Sequence, residues 1–260
     1  MKRRDFLKTT AVTGGLGAFS TVAAALPLKK ENRQWYELRE YIITSAAQRE
    51  TIERYYRDAA IPALNRMGSK TVGVFRQYDT NEADKLFVLI PFSSADRFLA
   101  MREFLAGDKV YQAAAKEYHA VSSKNAAFKR IQSSFLRAFT QMPSILLPEK
   151  KQRLFELRRY ESHSDLAAKQ KIKMFNEGGE ISIFKRVGLD PVFFGETLAG
   201  ANVPNLTYLL VFDDMAEHDK NWKAFGNDEQ WKKIKDLPEY ADTVSHIERT
   251  FLIPSECSQI

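Results

Sequence analysis

The chain has 260 residues, of which 44% are hydrophobic and 28% are charged, and its formal net charge is +6 at pH 7. This composition is typical of a globular protein, and the length fits one large domain or two small ones. The basic residues are scattered among acidic ones without a zinc-knuckle or recognition-helix pattern, so we expect no nucleic-acid partner. The single cysteine, Cys257, excludes an intrachain disulfide and a cysteine-ligated cluster, and we expect no metal site.

The first 25 residues have the pattern of a targeting segment. A basic start contains the pair Arg3-Arg4 followed by Asp-Phe-Leu-Lys, and a weakly apolar stretch leads to the small residues Ala23-Ala24-Ala25. This pattern resembles a bacterial twin-arginine signal peptide, which implies export of a folded protein to the periplasm or cell envelope. The alternative is an ordinary secretory signal that contains two arginines. The stretch is too short and polar for a stable membrane span, and residues 26–34 are predicted to be a polar tether.

A first domain, residues 35–148, is predicted to have the element order β-α-β-β-α-β. We expect its helices to be capped by Thr44 or Ser45 and by Ser93 or Ser94, and Pro62 to kink or split the first of them. The predicted strands are Trp35 to Ile43, Thr71 to Tyr78, Leu86 to Phe92, and a fourth within Lys129 to Phe139.

A second domain, residues 149–260, is predicted to repeat this plan, with Asp213 or Asp214 capping its second long helix. Its first helix is expected to begin near Ser164 and to stop at Gly178-Gly179. Its predicted strands are Arg153 to Tyr160, Ile181 to Val187, Leu206 to Phe212 and Val244 to Leu252. The apolar segment Asp190 to Gly200 has no counterpart in the first domain, and we interpret it as a loop over a sheet edge or a cavity mouth.

The repeat is anchored by the motif aromatic-Glu-Leu-Arg-x-Tyr. It occurs at Tyr36 to Tyr41 and again at Phe155 to Tyr160, with an offset of 119 residues. The element order predicts an α+β fold of tandem ferredoxin-like domains, each with helices on one face of its sheet. Two such sheets packed face to face would enclose a barrel-like interior. The sequence leaves open whether the two sheets pair within one chain or between chains, and we expect self-association.

Strand alternation divides the side chains of the motif between two faces. We expect Tyr36 and Leu38 to face the helices and the alternate residues to face the other sheet. The predicted ligand-binding residues are therefore Glu37, Arg39, Tyr41, Glu156, Arg158 and Tyr160. Two interpretations stay open, since buried ion pairs either hold the sheets in register or line a cavity in which arginines hold an anionic or carbonyl group.

Few other residues are candidates for chemistry. His246, on the last predicted strand, is the best candidate for proton transfer or for axial ligation of a haem. His119 and His163 are expected at the surface or at helix ends, and His218 is expected to be a semi-buried histidine with satisfied nitrogens. Glu196, in the predicted loop, is a further candidate for ligand binding. No serine-nucleophile elbow or phosphate-binding loop is present.

The same residues resemble the NIPSNAP family. The Tyr-Glu-Leu-Arg-x-Tyr opening, the segment Pro191 to Gly200, Phe212-Asp213-Asp214-Met215 and the ending Ser258-Gln259-Ile260 carry the resemblance. It implies the dimeric α/β-barrel superfamily, with tandem copies forming an internal pseudo-dimer. Fold relatives include cofactor-free monooxygenases and haem-degrading enzymes. We therefore expect a protein that binds a small organic molecule in the barrel interior. The alternatives are a cofactor-free or haem-dependent monooxygenase-like enzyme and a structural or interaction protein without a ligand.

Overall fold

The computed structural model describes residues 32–78, 85–149 and 153–260. The strands are β1 (Trp35–Ile42), β2 (Gly73–Gln77), β3 (Lys85–Phe92), β4 (Arg130–Ala138), β5 (Leu154–Glu161), β6 (Asp190–Ala199), β7 (Asn205–Phe212) and β8 (His246–Pro254). The predicted signal peptide and most of the predicted tether lie outside the described residues. Within the described part of the chain, no helix has the length and apolarity needed to cross a membrane.

The helices follow the predicted order except for one, Glu180–Arg186, which was predicted as a strand. They are α1 (Ala46–Tyr55), α2 (Ile61–Met67), α3 (Ala95–Gly107), α4 (Lys109–Ala114), α5 (Lys116–His119), α6 (Asp165–Asn176), α7 (Glu180–Arg186), α8 (Met215–Asn227) and α9 (Glu229–Lys235). A π-helical segment, Tyr56–Ala60, joins α1 to α2 just before Pro62, where the proline lacks the N–H that would continue the α-helical bonding.

The eight strands close into one antiparallel barrel in the order β1-β3-β2-β8-β5-β7-β6-β4. The two halves join where β2 pairs with β8 and where β4 pairs with β6. The two sheets therefore pair within one chain, and the prediction of tandem ferredoxin-like units around a barrel is confirmed. Closure satisfies the strand edges of both halves.

The helix starts occur where the sequence predicted them. The side chains of Ser45, Ser94, Ser164 and Asp214 each accept a hydrogen bond from the backbone N–H three residues later. Such caps satisfy one of the N–H groups that the first turn of a helix leaves without a partner. These positions are read correctly because a cap depends only on its nearest residues in the chain.

The second strand of the second half was predicted wrongly. Residues 180–186 form helix α7, and the segment interpreted as a loop forms strand β6. Gly179 adopts a left-handed conformation that lets a new helix start directly after α6. The buried residues Ile181, Ile183 and Phe184 follow a helical period, whereas β6 is buried on both faces and therefore shows no alternation.

The two faces of the first strand are also opposite to the prediction. Tyr36 and Leu38 lie inside the barrel, in an apolar cluster with Phe75, Phe155 and Phe193. The polar members of the motif lie on the outer face, beneath the helices. Alternation was read correctly, but an eight-stranded barrel is just wide enough to be filled by its own side chains, so its interior takes the apolar face.

The polar end of the barrel is closed by an ion-pair network. Arg159 donates to Glu40 at 2.6 Å and to Glu248 at 2.7 Å, and Lys85 lies 3.5 Å from Glu40. An interior cavity beside this network, lined also by Phe87 and Leu157, has a volume of about 10 Å³. This volume has room for about one water molecule. At this end of the barrel the described side chains therefore leave no room for an organic ligand, and the expected interior ligand stays a prediction.

Candidate functional site

A polar cluster lies between the outer face of β1 and β4 and the helices of the first half. The first polar cluster consists of Glu37, Arg39, Tyr41, Tyr56 and Ser133. Arg39 donates to a Glu37 oxygen at 2.8 Å and to the Tyr56 hydroxyl at 3.2 Å. Ser133 donates to the other Glu37 oxygen at 2.8 Å, and the hydroxyls of Tyr41 and Tyr56 lie 2.8 Å apart. The predicted residues of the first motif therefore do meet, but beneath the helices.

More tyrosines extend this cluster through the helices. Tyr55 hydrogen-bonds Tyr111 at 2.8 Å, and the Tyr111 hydroxyl lies 3.2 Å from Nε2 of the exposed His119. The Tyr55 ring stacks on Tyr118 with 3.8 Å between centroids. Tyr56 opens the π-helical segment, a local geometry that is frequent at functional sites.

The charge state of the first polar cluster is set by burial and by its own contacts. Burial alone would lower the pKa of Arg39, but Tyr56 and Glu37 hold that pKa well above its ordinary value. Burial raises the pKa of Tyr56 well above its ordinary value. The cluster therefore combines a permanently charged guanidinium with the neutral phenol of Tyr56, and both groups can donate hydrogen bonds.

The second half contains an equivalent cluster beneath its own helices. The second polar cluster consists of Glu156, Arg158, Tyr160, Tyr208 and Trp222. Arg158 donates to a Glu156 oxygen at 2.7 Å, and its Nη1 lies 3.4 Å from the Tyr160 hydroxyl, to which Tyr208 donates at 2.8 Å. Trp222 donates to the other Glu156 oxygen at 2.8 Å, and the Arg158 guanidinium lies 3.6 Å from the centre of its ring.

His218 borders the second polar cluster. Its Nδ1 lies 2.8 Å from an oxygen of Asp219, while its buried Nε2 lies 3.4 Å from a Glu156 oxygen without forming a hydrogen bond. The ring packs edge-on against Phe212 and Phe251. His218 is therefore more buried than predicted, with one nitrogen bonded and the other facing a carboxylate.

The other predicted site residues lie elsewhere. His246 is exposed at the first residue of β8, where it pairs with Glu161, and His163 is exposed as expected. Glu196 forms an ion pair with Arg137 at 2.8 Å and lines a surface cleft of about 410 Å³. None of these side chains belongs to either polar cluster.

The histidines do not fit an axial haem ligand. His246 lies on the exposed end of a strand, and the free nitrogen of His218 faces Glu156 instead of an open space. The three larger surface clefts that the structure describes, of about 370, 580 and 410 Å³, are not lined by histidine. We therefore derive no chemistry through haem.

Several residues of the two clusters were not singled out as functional from sequence. Trp222, Tyr56, Ser133 and Tyr208 were not among the predicted site residues. A buried ion pair between Lys171 and Glu180, 2.8 Å apart, was also missed. A signal was available for Trp222 only. The helix caps Ser94 and Asp214 are 120 residues apart, and this offset pairs Trp222 with Arg102. An aromatic residue matched to a charged one marks a difference between the halves.

The chain matches a known family along most of its length. The NIPSNAP family model matches residues 36–141 and again residues 155–259. The protein belongs to the NIPSNAP family. Each half of the barrel thus corresponds to one NIPSNAP domain, and the motif that carries the two polar clusters opens both matches. No curated protein matched the sequence.

Solved structures share the fold of this NIPSNAP protein. A candidate monooxygenase from Lactobacillus acidophilus NCFM aligns with a TM-score of 0.57 at 10% identity, covering 85% of this chain and 94% of that one. A candidate monooxygenase from Fusobacterium nucleatum gives 0.57 at 11% identity, with 85% and 92% covered. A NIPSNAP-like domain protein from Burkholderia xenovorans covers 41% of this chain and 89% of its own, with a TM-score of 0.37 and 15% identity.

Proposed function

We propose that this NIPSNAP protein binds a small organic molecule at the first polar cluster, beneath helix α3. The observation that carries the proposal is the partial exposure of the charged Arg39 side chain. That side chain keeps 17% of its surface exposed although it lies under the helices, and the neutral phenol of Tyr56 flanks its charge. A partly open, permanently charged guanidinium beside phenol groups is suited to holding an anionic or carbonyl group.

The guanidinium has capacity for a ligand. It carries five N–H groups, and its contacts with Glu37, Tyr56 and the Met101 sulfur are made through its two terminal nitrogens. Helix α3 buries one residue completely, Met101, and packs Phe98, Phe104 and Leu105 against the core as partly buried side chains.

Native mass spectrometry of the exported, mature protein tests the proposal, with an absorbance spectrum of the same sample. We expect a retained small molecule whose extra mass disappears in Arg39→Leu and persists in Arg97→Leu, a control at an exposed arginine on helix α3. Circular dichroism of both variants is the control that checks whether they are folded. If the wild type carries only bare polypeptide mass and no small-molecule mixture stabilises it, the cluster is a structural ion pair and the proposal is wrong.

The second polar cluster, with Glu156, Arg158 and Tyr160, is proposed as a related but closed site. Glu156 has no exposed side-chain surface, and Arg158 keeps 10% of its own. Glu196 is proposed as a separate contact residue in its surface cleft. Arg158→Leu should therefore change stability more than ligand retention, and Glu196→Gln should change neither the retained mass nor the fold.

We further propose that the protein acts in the bacterial envelope after twin-arginine export. The pair Arg3-Arg4 before Phe-Leu and the small residues at 23–25 support this location. Replacing both arginines by lysine should trap the full-length precursor in the cytoplasm. Export of the lysine variant at the wild-type level would favour the ordinary secretory route.

A cofactor-free monooxygenase-like enzyme is the second candidate function. It is supported by the fold shared with two candidate monooxygenases, at 10% and 11% identity, and fold likeness by itself names no reaction. Oxygen consumption with aromatic substrates, measured on wild type and His246→Ala, tests it. A rate that His246→Ala leaves unchanged would remove the catalytic role predicted for that residue.

Self-association also remains a prediction. Because the barrel closes within one chain, none of the eight strands that the structure describes keeps an open edge for pairing with a second copy. A dimer would therefore use helical surfaces, and sedimentation equilibrium of the mature protein measures whether it forms.

A further inference from the structure

The second polar cluster contains an aromatic ring where a ligand could otherwise lie. The Trp222 indole stacks on the Arg158 guanidinium at 3.6 Å and donates its N–H to Glu156 at 2.8 Å. The ring thus makes one stacking contact and one charge-assisted hydrogen bond, and it leaves Glu156 without exposed surface. A free aromatic molecule would use the same two contacts.

The two halves can be compared position by position. Phe98 stacks on Phe135 at 4.3 Å, and its counterpart His218 packs on Phe251 at 5.0 Å. Phe135 and Phe251 each stand opposite the motif glutamate in their own half. The repeat offset of 120 residues between these helices therefore holds in space as well as in sequence.

By this offset, the counterpart of Trp222 is Arg102, which is exposed on α3. Glu37 keeps 7% of its side-chain surface and Arg39 keeps 17%, against 0% and 10% for their counterparts. The first half therefore has the same charged pair without the indole that covers it in the second half.

We propose that the first polar cluster binds a planar aromatic molecule that carries an N–H or O–H donor, with its ring stacked on Arg39 and its donor bonded to Glu37. The proposal rests on the function proposed above and names the ligand class of that site. The contacts of the Trp222 side chain in the second polar cluster show how such a ligand would bind in the first. Glu37 can accept a further hydrogen bond, because a carboxylate accepts about four.

The surroundings of the cluster suit an aromatic ring. The thioether of Met101 contacts Arg39 at 3.7 Å. Methionine is flexible and makes favourable contacts with aromatic rings, so it can shift and still pack. The stacked rings of Trp35, Phe135 and Phe98 continue from the cluster along β1, β4 and α3.

Titration with indole and N-methylindole, followed by ligand-observed NMR on the mature protein, tests the proposal. We expect indole to bind the wild type and N-methylindole, which lacks the N–H, to bind at least about tenfold more weakly, as for loss of a hydrogen bond to a charged acceptor. Arg102→Trp places an indole at the position equivalent to Trp222 and should weaken indole binding by about tenfold or more. Leu99→Trp adds the same side chain at a site on α3 that is 72% exposed and should leave binding unchanged.

Other outcomes separate this proposal from the broader one. Equal binding of the two indoles, or equal effects of the two tryptophan variants, overturns the assignment of the aromatic donor. Binding of benzoate that Arg39→Leu abolishes, without any binding of indole, overturns the ligand class and leaves the binding function intact. Failure of both probes together with bare polypeptide mass overturns both proposals.

Discussion

Removing the indole from the second polar cluster should open a site like the proposed one in the first. Trp222→Ala deletes a ring that stacks on Arg158 and donates to Glu156. Truncation of a buried tryptophan to alanine costs about 3–5 kcal/mol. Trp222 is only partly buried, so we expect the lower end, about 3 kcal/mol, including the loss of a donor to a buried carboxylate.

Added indole should then restore part of that stability. A ligand that binds only the folded state stabilises it by RT ln(1 + [L]/Kd), about 2.7 kcal/mol at a hundred times Kd. The assay is urea unfolding followed by circular dichroism, with and without indole, on Trp222→Ala. Trp231→Ala is the control, because Trp231 lies on α9 and its ring packs at a tilt against Phe225, with 4.4 Å between centroids.

Two results would refute this reasoning. A cost below about 1 kcal/mol for Trp222→Ala would show that the indole is not an integral part of the cluster. Equal stabilisation of both tryptophan variants by indole would show general binding to exposed apolar surface. In either case the ligand class inferred for the first half would lose its support.

Three further predictions follow from buried groups. Arg159→Met should cost about 3 kcal/mol, the lower end for breaking a buried ion pair, because Glu40 keeps the more distant and more exposed Lys85 as a partner. Adding Glu40→Leu should recover much of this cost in a double-mutant cycle by urea unfolding. Burial raises the pKa of Glu180 above its ordinary value of 4.5, against the opposing effect of Lys171. The free energy of unfolding should therefore fall as pH rises from 4.5 through the raised pKa, because the folded state holds the proton more tightly than the unfolded state. Glu180→Gln should flatten this decline, measured as urea midpoints against pH. Burial raises the pKa of Cys257 to about 11, so iodoacetamide should alkylate it about a hundredfold more slowly at pH 8 than a thiol of pKa 9, and an equal rate would contradict the burial.

The features that the sequence predicted well are local or repeated. Ser45, Ser94 and Asp214 cap helices because a side chain and an N–H three residues later decide the outcome. The motif at Tyr36 and Phe155 revealed the duplication because it is copied at one offset. Duplication, together with the element order, was then enough to predict a paired-sheet fold.

The features that were missed depend on contacts between distant residues. The choice of face for Leu38 was decided by closure of the barrel, which no single half specifies. The pair Arg159–Glu40 joins residues 119 apart across the two halves. Strand β6 was taken for a loop because a strand buried on both sides shows no alternation and is hard to distinguish from other apolar segments.

The difference between the halves has a consequence for stoichiometry. Two copies of one domain would be expected to offer two sites per chain, yet the second pair, Glu156–Arg158, is already covered by Trp222. If the indole and the ligand use the same contacts, each chain binds one molecule, at Glu37–Arg39. Trp222→Ala should raise the stoichiometry from one to two, and Arg102→Trp should lower it to zero. Isothermal titration with indole counts these sites directly, and a wild-type value of two would contradict the assignment of Trp222 as the occupant of the second site.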